Sequence, residues 1–185
     1  MNMFLSVKDH PKSLVNLYYI ASGSLLLYAS SKILIPIGVV PITLQPTAVL
    51  LLSLTYSPFR AFLSVALWVF VGALGAPVFS SPLPGNVVLL GPTAGYIVSY
   101  LFVSSLIPWM AQRINPKKQM LKDLLLATIA TCINFGMGVF VLSFHTGLEK
   151  AVQVGLLPFI VPGIIKGAGL CLALKACRGC RGQKP

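Results

Sequence analysis

The chain has 185 residues, 56% of them hydrophobic and only 9% charged, with a formal net charge of +11. This composition excludes an ordinary soluble domain and a disordered chain, and it leaves an integral membrane protein. Nucleic-acid binding is not indicated by the surplus charge, which is confined to predicted connections on one side of a membrane.

A helix needs about 20 apolar residues to cross a ~30 Å hydrocarbon core, and six candidate stretches are predicted at roughly 15–37, 44–58, 60–79, 87–110, 121–144 and 158–177. The first lies well inside the chain, is too long for a signal-peptide core and has no A-x-A-like cleavage site, so it is expected to remain in the mature protein. It carries Lys32 close to Pro36, where the ammonium is expected to snorkel to the outer edge. Its small residues recur at i, i+7: Ser22 with Ala29, and Gly23 with Ser30. The second stretch, "LQPTAVLLLSLTYS", is short and begins beside Pro41 and Pro46, which predicts a partial or tilted helix joined tightly to the third. Thr43 and Gln45 stand just before it.

Ahead of the fourth span, "SSPLPGNVVLL" places Asn86 at the outer mouth. "GPTAGY" follows. Read as helix, it sets Thr93, Tyr96 and Tyr100 at i, i+3, i+7 on one face, while Gly91 and Gly95 at i, i+4 allow a backbone or a flat ligand to approach closely. Tyr100 taken alone fits an interfacial aromatic anchor. In the fifth span, Asn134 of "CINFGMGVF" is expected to make an interhelical hydrogen bond, of about 0.6 kcal/mol in membrane proteins. In the sixth, Pro162 and Gly163 are expected to loosen the helix start, and Lys166 follows inside the span near the outer leaflet. A cation at that depth costs about 2.5–3.5 kcal/mol. The acidic residues Asp9, Asp123 and Glu149 are all predicted at or beyond the membrane edge, so an anionic ligand is a natural counter-ion for Lys166.

Lysine and arginine excess marks cytoplasmic connections. Lys8, Lys12, Arg60, Arg113, Lys117, Lys118, Lys122, Lys175, Arg178, Arg181 and Lys184 all fall in or beside the two termini or the 2–3 and 4–5 connections, whereas the opposite-side connections carry only Glu149 and Lys150. The expectation is an all-α bundle of six transmembrane helices with both termini cytoplasmic. It would form one membrane domain over 1–185, with a core at about 15–177 and cytoplasmic tails at 1–14 and 178–185.

Catalytic and metal-binding constellations are not expected. His10 and His145 lie in connecting regions, and a general acid and base, or a nucleophile and base, must converge within hydrogen-bonding reach. Cys132 and Cys171 sit in apolar helices, and Cys177 with Cys180 form "CRGC", which is half a zinc site at most. Polar groups gather instead toward the outer leaflet. Such a pattern indicates a ligand pocket open to the outside.

"VPITLQPTAVLLLSL", "GALGAPVF", "LLGPTAGY" and "PFIVPGIIKGA" resemble, in order and spacing over roughly 20 to 175, the BioY family. These are the biotin-binding S components of energy-coupling-factor vitamin transporters. The resemblance implies an S-component-like six-helix fold in a bacterial cytoplasmic membrane, without a cofactor. It implies capture of biotin from outside and partnership with a membrane T component and two ATPases. Lys166 resembles the family's ligand-binding lysine, and Asn86 with the "GPTAGY" face of Thr93, Tyr96 and Tyr100 resembles the rest of the cradle; Thr43 and Gln45, on the outer loop across from Asn86, are expected to join the same pocket. Two departures stand out. Gly163 occupies the position of a common family aspartate, so another acceptor must meet the ureido N–H groups, or the ligand is a biotin precursor or another small carboxylated vitamin. The A-x-x-x-A docking motif of the first helix is replaced by the small residues Ser22, Gly23, Ala29 and Ser30.

Nothing in the chain matches the phosphate-binding G-x-x-x-x-G-K-[ST] pattern. Liposomes containing this protein alone, with neither nucleotide nor ion gradient, are therefore expected to show no concentrative uptake. Accumulation under those conditions would refute an external energy source.

Overall fold

The computed structural model describes residues 12–37, 40–114 and 119–182, with the backbone alone at 12 and 180–182. Lys8, Asp9, His10, Lys117, Lys118 and Lys184 lie outside the described residues, as does the side chain of Arg181. The elements are α1 (Lys12–Ser31), β1 (Leu34–Ile35), β2 (Ile42–Thr43), α2 (Gln45–Thr55), α3 (Pro58–Ala73), α4 (Gly85–Leu89), α5 (Ala94–Arg113), α6 (Gln119–Thr146), α7 (Leu148–Gly155) and α8 (Leu157–Gly182). Among the described residues three stretches are long and apolar enough to cross a membrane: Ala94–Arg113, Gln119–Thr146 and Leu148–Gly179. Helices α2 and α3 are apolar but shorter.

Proline and glycine account for most departures from the predicted spans. Helix α1 stops at Ser31 rather than 37. Pro36 has no N–H to donate and biases the residue before it to extended backbone. The chain instead folds into a two-stranded antiparallel hairpin with Leu34 opposite Thr43 and Ile35 opposite Ile42. Pro46 opens α2, whose 11 residues reach only about 16 Å at 1.5 Å per residue. Two residues later Pro58 opens α3, so the tight 2–3 junction is the expected one. Gly75, at φ +96°, turns the chain out of α3 into a connection that ends at α4. The predicted fourth span is two helices, because Gly91, Pro92 and Thr93 form a turn between α4 and α5. The sixth is also preceded by a separate helix, α7. Pro162 lies inside α8 rather than at its start.

Helix α5 is central, packing on α2, α3 and α6. Leu52, Val65, Trp68, Phe79, Tyr100 and Ile107 belong to the main core, and a second core joins Tyr96 to Leu142, Ala151 and Phe159. Helix α1 seats on α3 through a small-residue contact, since a Cβ at Gly23 would meet the Ser64 hydroxyl. This corrects the expected docking face: Gly23 and Ser30 point into the bundle, while Ser22 is part-buried beside Tyr56 and only Ala29 is exposed.

The two ends of the bundle differ in charge. At one, Arg60 donates to Asn16 at 2.9 Å and covers the Tyr19 ring, Arg113 stacks on Trp109, and Arg178 pairs with Asp123. Asp123, expected at the membrane edge, is 2% exposed and also accepts from Gln119 Nε2 at 3.1 Å. Arg178, expected in a tail, is helical. At the other end, Lys32 is exposed as expected of a snorkelling residue, but its ammonium is engaged. It donates to the carbonyls of Pro77 and Phe79 at 2.8 and 3.2 Å, tying down the connection after α3.

A topology with the basic end inside is testable with single cysteines in a background lacking the native ones. Cysteines at Leu83 and Leu148, both exposed at the other end, should react with an impermeant maleimide from outside. One at Lys175 should react only after permeabilisation. External labelling at Lys175 would invert the arrangement.

Candidate functional site

A cavity of about 90 Å³ opens between the hairpin, α2, α5, α6 and α8. Its wall is largely apolar, with Val49, Leu50, Ile97 and Val103 on one side and Phe135 and Phe159, ring centroids 6.3 Å apart, on another. An apolar cavity with a few convergent polar groups is the usual form of a small-molecule site.

Every residue expected in the site lines this cavity except Asn86. Asn86 is exposed on α4, where its Oδ1 accepts from the Val87 N–H at 2.9 Å, so its side chain serves its own short helix. Thr93 sits at the N-cap of α5 rather than within it, yet it shares the cavity-facing side of that helix with Tyr96 and Tyr100. The turn made by Gly91 and Pro92 starts α5 at that point. Gly95 lies against the Met137 carbonyl and Val141 of α6, so of the two glycines it alone admits a neighbouring backbone.

The two tyrosines, both expected in the site, differ in what they leave free for a ligand. Tyr96 donates its hydroxyl to the Gly155 carbonyl at 2.8 Å, and its ring fills the space where Gly138 and Gly155 lack side chains. It anchors α7 to α5 and presents mainly its ring to the cavity. Tyr100 is no interfacial anchor: it is 4% exposed, packs near Trp68, and has no hydroxyl partner among the described residues. Its O–H is available to a ligand.

Lys166 reaches from α8 to the hairpin, where its ammonium donates to the Thr43 carbonyl at 2.9 Å. Two of its three N–H groups remain. Among the described residues no carboxylate pairs with it, Asp123 being held by Arg178. Below the ammonium, Thr43 Oγ1 donates to Gln45 Oε1 at 3.3 Å, and the enclosed Gln45 Nε2 lacks a partner. Gly163 lies one turn before Lys166, with Phe135 and Thr131 as its nearest side chains.

Sequence reasoning assigned Asn134 to helix packing. It does contact α5 through Ser99, but it also lines the cavity. The signal was its position: Thr131, Asn134 and Phe135 stand at i, i+3, i+4, and so form one face of an otherwise apolar helix.

Comparison with known proteins bears on this arrangement. A model of the BioY family matches residues 5–181. The chain belongs to the BioY family. It is 32% identical over 155 residues to the biotin transporter BioY2 of Lactococcus lactis subsp. cremoris, covering 83% of this chain and 84% of that protein. It is 36% identical over 143 residues to the biotin transporter BioY of Thermotoga maritima, covering 76% and 82% respectively. The crystal structure of the S-component for biotin from an ECF-type ABC transporter superposes with a TM-score of 0.80, covering 91% of this chain and 93% of that one at 22% identity. This BioY chain and that S-component share a fold.

The packing around Tyr96 is testable by paired substitutions. A methyl at Gly138 would overlap the Tyr96 ring, whereas one at Gly136 meets nothing within 4 Å. Overpacking of this kind costs about 1–3 kcal/mol. Gly138→Ala should therefore lower the unfolding temperature of the purified protein by several degrees, and Gly136→Ala should not. Equal behaviour of the two would show that Tyr96 is not wedged there.

Proposed function

We propose that this protein is the biotin-capturing S component of an energy-coupling-factor uptake system in a bacterial cytoplasmic membrane. It takes biotin from the outer side into the cavity beneath the hairpin and delivers it inward with a membrane T component and two ATPase subunits. The six-helix core at about 15–177, with cytoplasmic ends, belongs to this reading. The carrying observation is the cavity itself, at the end of the bundle away from the basic residues, with Lys166 at its rim and family membership along nearly the whole chain.

Each contact follows from the chemistry of the groups. Lys166 uses its free N–H groups on the biotin carboxylate or the ureido carbonyl. Thr93 and the unpartnered Tyr100 hydroxyl line the same space. The Phe135, Phe159 and Ile97 surfaces cover the apolar ring system and chain. Asn86 takes no part, and Tyr96 contributes shape. Gly163 favours one second reading, a biotin precursor or another small carboxylated vitamin, because its lack of a side chain removes a possible acceptor.

Equilibrium binding of labelled biotin to the purified protein, with competition by the unlabelled alternatives, separates the two readings. Losing a charge-assisted hydrogen bond in a desolvated site costs about 1.5–3 kcal/mol, roughly a ten- to hundredfold loss in affinity. Lys166→Ala should weaken biotin binding by at least about tenfold on that basis, while Lys175→Ala, at the basic end, should leave it unchanged. Lys32→Ala is the poorer control, since Lys32 holds the connection that brings Ser80 to the cavity. Unaltered affinity in Lys166→Ala would place the ligand elsewhere.

A further inference from the structure

Two carboxamides line the cavity. That of Gln45 is turned toward Thr43, with its nitrogen enclosed by protein. That of Asn134 is different: the residue is 6% exposed, it lines the cavity, and the amide group away from Ser99 has no protein partner among the described residues. Whether this free group is an N–H donor or a carbonyl acceptor decides what the cavity can recognise.

Ser99 settles the orientation. Its Oγ is fully buried, 2.7 Å from the Tyr96 carbonyl oxygen and 2.8 Å from the Asn134 amide position occupied by Oδ1. A serine hydroxyl has one proton and two lone pairs. With the amide oxygen toward Ser99, two acceptors compete for that proton, and one pair of oxygens is left in contact with no hydrogen between them. Turning the carboxamide over about Cβ–Cγ exchanges oxygen and nitrogen in place. Ser99 then donates to Tyr96 and accepts from Asn134 Nδ2, and both contacts are satisfied. Asn134 Oδ1 is left facing the cavity.

No carboxylate lines the cavity among the described residues. Its hydroxyls are those of Thr43, Thr47, Ser80, Thr93, Tyr96, Tyr100 and Thr131, of which Thr43, Tyr96 and Thr131 already donate within the protein, and Lys166 can only donate. Gln45 Oε1 accepts from Thr43, so among the described lining residues the Asn134 carbonyl is the carboxamide oxygen that a buried partner orients toward the cavity while leaving it without a protein donor. It stands on the α6 face that also carries Thr131 and Phe135, the side chains bordering the open space at Gly163.

We propose that the Asn134 carbonyl, held toward the cavity by Ser99, accepts a ureido N–H of the bound ligand and is the specificity-determining acceptor of this site. The assignment rests on the biotin reading above. Asn134 is the binding residue and Ser99 a positioning residue.

The test is a cycle of variants and ligands, read as dissociation constants on purified protein. The ligands are biotin and its two isomeric mono-N-methyl derivatives, each methylated on one ureido nitrogen. Methylation at the nitrogen facing Asn134 should weaken binding to the unaltered protein by at least about tenfold, as expected for loss of a buried hydrogen bond. In Asn134→Ala, biotin binding should already be weakened, and the methylated isomer should bind as well as biotin. Asn134→Asp, whose carboxylate still accepts, should bind biotin and keep the discrimination, which covers the case in which the alanine variant does not fold. Ser99→Ala should reduce the discrimination without abolishing binding. Biotin affinity unchanged in Asn134→Ala, or an equal methylation penalty with and without the Asn134 acceptor, would overturn the assignment alone. Failure of the unaltered protein to bind biotin would overturn the biotin reading and the assignment with it.

Discussion

An ammonium carried on an apolar helix must find oxygen without leaving the bilayer. Lys166 finds it in the Thr43 carbonyl, 123 residues earlier in the chain, and that bond ties α8 to the hairpin. The hairpin is available because Pro36 and Pro41 forbid a continuous helix there, and its ladder leaves the Thr43 carbonyl free on the cavity side. Rim, charge and wall of the cavity thus follow from one hydrogen bond. Since the ammonium has three N–H groups, satisfying it within the protein does not exhaust it.

The other polar groups of the bundle divide by whether they are used up. Asp123 is neutralised by Arg178 and also accepts from Gln119, and removing Arg178 would leave a buried carboxylate without its ion-pair partner, a change that typically costs about 3–5 kcal/mol. Tyr96 is spent on Gly155. Tyr100, Asn134 and Lys166 keep bonding capacity, and all three line the cavity. Lys166 and Arg178 lie on the same helix but about 18 Å apart at 1.5 Å per residue, so the unpaired ammonium and the paired guanidinium belong to different ends of the bundle. The basic end is a closed structural joint. The other end retains uncompensated charge.

Much of this was legible in the sequence, because its main signals are physical and local. The apolar runs of the fifth and sixth predicted spans, the gathering of Arg60, Arg113 and Arg178 at one end, the odd presence of Lys166, and the shared cavity side of Thr93, Tyr96 and Tyr100 recur in the structure. What was not legible depends on contacts between distant segments. Asn86 looked available, but a short helix starting at Gly85 consumes its side-chain oxygen. Gly23 looked like part of an outward docking face, yet Ser64, on another helix, takes that space. The roles of Tyr96 and Tyr100 turned on where Gly155 came to rest, which periodicity cannot report. Asn134 was passed over because an amide in an apolar helix has an ordinary explanation, and the ordinary explanation was half correct.

Under the proposed reading, glycine at 163, where the family resemblance implies an aspartate, changes the charge of the site as well as its shape. With no acid among the described lining residues, Lys166 gives the cavity an uncompensated positive charge, and the only neutral way to meet a ligand N–H is through an oxygen such as that of Asn134. A neutral acceptor leaves the ammonium free of an internal partner, so ion pairing has to come from the ligand. In a site of low dielectric that pairing is worth much more than in water, whereas an uncharged analogue would leave the ammonium desolvated and unpaired. A ligand bearing both a ureide and a carboxylate satisfies the two demands together. Under the proposed biotin reading, discrimination between acid and amide forms resides in Lys166 together with the absence of a side chain at Gly163, and recognition of the ring resides in Asn134.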